Sequence, residues 1–98
     1  MFKTTVPLKI YDNVSEYFKR NNMNYDVQEI LPDKNPFNDY LFIVIAKNRK
    51  YPEENKAFGL GPWVVWSSWN ESTQCLNHGH YDIADYDKAY ALAMELRA

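Results

Sequence analysis

The stretch Gly59–Asp87, GLGPWVVWSSWNESTQCLNHGHYDIADYD, decides how this chain is read. It holds all three tryptophans, all three glycines, both histidines and the single cysteine. Pro62 has no N–H for a ladder bond and suits the first residue of a strand. Trp63-Val64-Val65-Trp66 follows, and β-branched and aromatic residues fit a pleated surface. Strict alternation predicts Trp63, Val65, Ser67 and Trp69 on one face, with Val64, Trp66, Ser68 and Asn70 on the other. Large side chains on both faces predict a central strand. Asn70-Glu71-Ser72-Thr73 is a polar turn. Gln74–Asp82 reads as the returning strand of an antiparallel hairpin, with Gly79 at a bulge or a close backbone approach.

Before this stretch, Tyr40–Lys47 (YLFIVIAK) is apolar without a break, the pattern of a strand covered on both faces. Tyr25–Leu31 alternates and reads as a strand nearer the sheet edge. Pro32–Pro36 is a turn-rich connection. Asn48–Phe58 is polar, contains Pro52 and reads as a long mobile hairpin loop. Lys47, Arg49 and Lys50 stand beside Glu53 and Glu54, so a solvated loop outweighs a phosphate-contacting patch. A first helix is predicted over Asp12–Asn21, capped by Asp12 or Asn13, with Val14, Tyr17 and Phe18 inward and Ile10 as a staple from before the cap. Asn21-Asn22 stops it, because Asn tolerates the left-handed cap conformation. A short edge strand is expected over Thr4–Val6, ended by Pro7. Beyond the hairpin, Asp85 caps a last helix and Asp87 favours its dipole. Ala89, Leu92, Ala93 and Leu96 form its apolar stripe, widened by Tyr86, Tyr90 and Met94.

The expected fold is therefore α+β: a small antiparallel sheet of three or four strands with an N-terminal and a C-terminal helix, α-β-β-β-(β)-α, in a single domain over residues 1–98. The simplest packing puts both helices on one face and leaves the other partly open. An exposed tryptophan there would mark a partner site. Ile43, Ile45, Val65 and Leu92 are the expected core.

Composition bounds the function. A net charge of −2 and 24% charged residues give no global attraction to nucleic acid or an anionic membrane. One cysteine rules out an internal disulfide and fits a reducing compartment. No apolar run approaches the roughly 20 residues that span a bilayer. MFKTTVPLKIYDN lacks the apolar core of a signal peptide. The expected location is the cytosol, with no membrane partner.

Cys75, His78, His80 and Asp82 are all zinc-ligand types within eight residues. His78 and His80, two apart in a strand, would point the same way, with Asp82 continuing that face. The spacing matches no paired zinc pattern, so zinc stays a weak candidate and structural histidines the commoner case. Cys75 lacks an elbow motif or an orienting third group for nucleophilic catalysis. Gly59 and Gly61 have no lysine or helix start behind them, so they do not cradle a phosphate. Three tryptophans could stack bases, but without flanking cations core packing is the commoner use. No catalytic residue is expected, and no direct nucleic-acid binding.

Trp66 and Asn70, then Leu76-Asn77-His78-Gly79-His80-Tyr81, then the acidic cap and alanine-bearing helix of Asp85–Leu96 resemble small proteins of phages and mobile elements of Firmicutes. Some anti-CRISPR proteins are compact acidic α+β domains of this kind. The resemblance covers about the last third of the chain. It implies an accessory protein of the bacterial cytosol that binds a protein partner, such as a CRISPR effector nuclease, and occludes its basic nucleic-acid groove. The expected contacts are the carboxylates of Glu71, Asp82, Asp85 and Asp87 with the rings of Trp66 and Trp69. A small metal-binding or nucleic-acid-associated protein is the alternative.

Overall fold

A computed structural model of the chain describes residues 6–35 and 40–97. Helix α1 (Leu8–Arg20) leads into strands β1 (Tyr25–Pro32), β2 (Leu41–Asn48), β3 (Trp63–Asn70) and β4 (Cys75–Ile83), and helix α2 (Tyr86–Arg97) closes the chain. The strands pair antiparallel in the order β1-β2-β3-β4. This is the expected α+β arrangement, with four strands. No helix among the described residues is long and apolar enough to cross a membrane.

Helix α1 starts one turn earlier than the sequence suggested. Pro7 stands at its N-cap with φ −59, and the Ile10 N–H donates to the Pro7 carbonyl at 3.0 Å. Ile10, Val14 and Phe18 form the buried i, i+4, i+8 stripe, so Ile10 is a core residue of the helix and no staple before it. Asp12 and Asn13 lie inside the helix and do not cap it. The stop is as expected. Asn22 is left-handed (φ 53), its N–H reaches the Lys19 carbonyl, and the Met23 N–H reaches that of Phe18 at 2.9 Å. These two bonds make a Schellman motif. The expected Thr4–Val6 strand begins outside the described residues, as does Pro36 of the β1–β2 connection. Val6 itself is buried outside any strand.

The helices do not share a face. Val44, Ala46, Val64, Trp66 and Trp69 pack with Ile10, Val14 and Phe18 of α1. Ile43, Ile45 and Val65 pack with Ala89 and Ala93 of α2 on the opposite side. The cause is β2, where Phe42–Ala46 are all buried. A strand apolar on both faces needs a cover on each, and one two-helix layer would leave Ile43 and Ile45 wet. Ala89 and Ala93, both 0% exposed, let α2 approach closely, with Leu92 at the margin.

The alternation expected along β3 fails at Ser67–Ser68. Phe42 pairs with Trp69 but Val44 with Trp66, so three residues of β3 span two of β2. This bulge brings Trp66 and Trp69 to the same, α1-covered face. Strand β4 follows with His78 left-handed (φ 56), which keeps Gly79 opposite Trp66 and Leu76 opposite Trp69. At Gly79 the backbone approaches two rings closely: a Cβ would stand 2.5 Å from the Tyr81 hydroxyl and 2.8 Å from Nε1 of the buried Trp66, so the rings would have to shift. A second bulge at Tyr81–Asp82 (Asp82 φ 60) sets Trp63 opposite Ile83.

Both helices are tied to the edge strand β1. The Ile30 N–H donates to the Tyr11 hydroxyl, and Arg97 Nε donates to the Pro32 carbonyl at 2.7 Å. The Tyr86 hydroxyl donates to the Glu29 carboxylate. That carboxylate, then burial, pushes the Tyr86 phenol up to about 12.

Candidate functional site

Chemistry-bearing side chains converge at one end of the sheet, where β1 and β3 begin and β2 and β4 end. Two connections meet there. Arg49–Pro62 joins β2 to β3, and Ala84-Asp85 joins β4 to α2.

The first connection, expected from its polarity as a long mobile hairpin loop, contains a helical segment. Glu53–Phe58 winds as a 3₁₀ helix and ends at left-handed Gly59 (φ 78). The signal was present in the sequence: Pro52 before Glu53-Glu54 is a helix start, with acids in the first turn and a glycine past the end. The wound segment bounds a cleft of about 340 Å³ lined by Asp26, Lys47, Asn48, Arg49, Tyr51, Glu53, Lys56 and Pro62. Arg49 Nη1 contacts Asp26 Oδ1 at 2.6 Å, and Lys56 Nζ contacts Glu53 Oε2 at 3.1 Å. Lys47 Nζ lies 5.6 Å from the Trp63 ring centroid. Sequence reasoning missed Tyr25, Asp26 and Tyr51, which reach this end only through strand pairing.

The second connection carries the carboxylates. Asp85 caps α2 as expected, its Oδ1 accepting the Lys88 N–H at 2.9 Å. Asp87 is exposed in the first turn. Asp82, exposed at the β4 bulge, accepts the Tyr51 hydroxyl proton at 2.9 Å. Tyr81 is 53% exposed, with its ring edge-on to Trp66 at 5.9 Å. Burial and then Asp82 push the Tyr51 phenol up; burial, then Tyr81 and Asp82, do the same to Tyr25. Tyr81 and Asp82 at the end of β4, and Asp85 and Asp87 at the start of α2, are thus exposed on either side of the β4–α2 corner of the chain.

Three expected contact residues are elsewhere in role. Trp66 is 3% exposed and Trp69 0%, so neither offers a ring to a partner. Trp66 shares the α1 face with Val64 by plain alternation, and the Ser67–Ser68 bulge turns Trp69 to that same face. Trp63 sits on the other face against Tyr86, which leaves no tryptophan row for stacking bases. Glu71 is half-buried and engaged on both oxygens: Oε1 accepts from Trp69 Nε1 at 2.8 Å and Oε2 from Asn13 Nδ2 at 2.6 Å. It ties β3 to α1 and is not a free surface carboxylate.

The zinc candidates are not gathered. Among the described residues no three His, Cys, Asp or Glu side chains come close enough to hold a metal ion. The left-handed residues His78 and Asp82 interrupt the alternation on which shared chelation depended. Cys75 is exposed and its thiol contacts the Thr73 carbonyl, with no hydrogen bond to His78 or His80 among the described residues. Compared with protein-family models, with curated proteins and with solved structures, the chain matches none.

Proposed function

We propose that this chain is a small binding module without catalytic activity, whose contact surface for a basic protein partner is the corner formed by Tyr81, Asp82, Asp85 and Asp87. One observation supports this most. The described residues contain two ion pairs, Arg49–Asp26 and Lys56–Glu53, and neither includes a carboxylate of this corner. Asp82, Asp85 and Asp87 are exposed, follow the exposed Tyr81 along the chain, and have no cation paired to them among the described residues. Unneutralised carboxylates and an exposed amphipathic ring suit a surface rich in arginine and lysine, and such complementarity speeds association. The groove of a nucleic-acid-processing protein has that chemistry. The resemblance to phage and mobile-element proteins makes a CRISPR effector nuclease in the host cytosol the partner of choice, held by occlusion of its groove.

The test is Asp82→Lys with Asp87→Lys, which takes the net charge from −2 to +2. Asp85 is left intact because losing a cap costs about 1 kcal/mol by itself. Both chains are immobilised and the proteins captured from a bacterial lysate are quantified. The partner should bind the variant at least tenfold more weakly, about 1.4 kcal/mol, and binding to the parent should weaken with salt. Equal capture by the folded variant rejects the acidic-corner mechanism.

A further inference from the structure

We infer that the cleft between the 3₁₀ segment and the ends of β1 and β2 binds a small organic carboxylate. Its lining holds three cations, Lys47, Arg49 and Lys56, against two carboxylates, Asp26 and Glu53, a local balance of +1 in a chain of net charge −2. Both carboxylates are already engaged, Asp26 by Arg49 and Glu53 by Lys56. The unmatched charge is therefore Lys47. It stands opposite Asp26 in the β1–β2 register, but Asp26 turns to Arg49. Among the described residues Lys47 keeps the face of Trp63, which holds the ammonium in place without neutralising it.

The donors at the cleft suit an oxyanion. Arg49 spends one nitrogen, Nη1, on Asp26 and the Tyr25 carbonyl, and its other guanidinium donors have no partner among the described residues. Asn48 Oδ1 accepts the Lys50 N–H, which leaves the Asn48 amide N–H groups to donate. The Tyr51 hydroxyl proton goes to Asp82, so Tyr51 presents its ring, beside Pro62, as an apolar wall. A volume of about 340 Å³ is at the lower end for a small-molecule site. Charge decides the class: one carboxylate brings the lining to neutrality, whereas a phosphate-monoester dianion would leave it at −1. The cleft adjoins the acidic corner at the Tyr51–Asp82 hydrogen bond, but the variants that test the two readings share no residue.

The experiment uses the full ¹⁵N-labelled chain at constant ionic strength, titrated in parallel with benzoate, acetate, inorganic phosphate and chloride. Benzoate should give saturable shifts at the amides of Lys47 to Tyr51, more tightly than acetate or phosphate, because its ring uses Tyr51 and Pro62. Lys47→Gln should weaken binding at least tenfold and Lys56→Gln severalfold. Asp26→Asn raises the lining to +2 and should tighten binding. Shifts equal for chloride and benzoate, or a folded Lys47→Gln that binds as the parent does, would overturn the site. Phosphate binding more tightly than benzoate at the same amides would overturn the carboxylate assignment.

Discussion

Replacing Glu71 by alanine tests the claim that this residue is structural. The substitution removes two hydrogen bonds to a carboxylate, at 2.6 and 2.8 Å, each of a type worth about 1.5–3 kcal/mol. The two losses are unequal. Asn13 is only half-buried and its amide can turn to water. Trp69 is 0% exposed, so its indole N–H would be left unsatisfied at a cost of about 1–3 kcal/mol. Together they predict a loss of about 2–4 kcal/mol, against a total stability of about 5–15 kcal/mol for such a domain. Glu71→Gln keeps an acceptor for the indole and should cost about 1 kcal/mol. Urea unfolding gives the midpoint, and an unchanged slope would show that the denatured state is not what moved. In the cycle with Asn13→Ala the two losses should couple by about 0.5 kcal/mol or more. A shift for Glu71→Ala within about 0.5 kcal/mol, the range of an ordinary surface change, would refute the network.

Two further predictions concern α2 and the packing at its start. The Tyr86 phenol keeps its proton in the fold to about pH 12, whereas the unfolded chain releases it near pH 10. The unfolded state thus binds fewer protons across that window, so stability should be complete below pH 10 and fall from there to about 12. Tyr86→Phe should lower Tm at pH 8, and its deficit should shrink toward pH 12; parallel Tm curves for parent and variant would reject the Tyr86–Glu29 bond. Gly61 is buried, and a Cβ there would stand 2.4 Å from the Ala84 carbonyl oxygen, a backbone atom that cannot swing away. Gly61→Ala should therefore cost about 1–3 kcal/mol in urea unfolding, and a neutral result would mean that β3 and the start of α2 are not in this close approach.

The strands were legible because each carries its own signal, whereas their order in the sheet came from the structure. The unbroken run Phe42–Ala46, the Pro62 start and the Asn70–Thr73 turn are local features, and antiparallel neighbours follow from short connections. What escaped depends on relations between elements. Nothing local says that α1 and α2 take opposite faces, although the apolarity of β2 on both sides required it. The Ser67–Ser68 bulge has no local signature, since two serines fit either face of a strand, yet it decides that Trp69 joins Trp66 in the core under α1. The α1 start was misplaced because Asp12 and Asn13 are good caps by composition. Asn13 uses its amide instead on Glu71, 58 residues away in sequence. The cleft depends on Asp26 facing Lys47, which exists only once β1 and β2 are in register.

The same logic separates the carboxylates by role. Glu71 looked like a surface charge beside a turn, but the bulge that buries Trp69 also obliges something to accept the Trp69 N–H, and Glu71 does so. Glu29 receives the Tyr86 hydroxyl, Asp26 holds Arg49, Glu53 holds Lys56, and Asp85 caps α2. Asp87 has no comparable anchoring bond among the described residues, and Asp82 receives only a hydroxyl on an exposed rim. Exposed acids crowded at a helix start favour the helix dipole by about 0.3–1 kcal/mol each, which accounts for Asp87. It does not account for Asp82, which sits left-handed at a strand bulge where asparagine would serve the backbone equally well. Folding therefore asks for Glu71 and leaves the charge of Asp82 unexplained. Losing Glu71 should move unfolding, whereas reversing Asp82 should move partner binding with the fold intact.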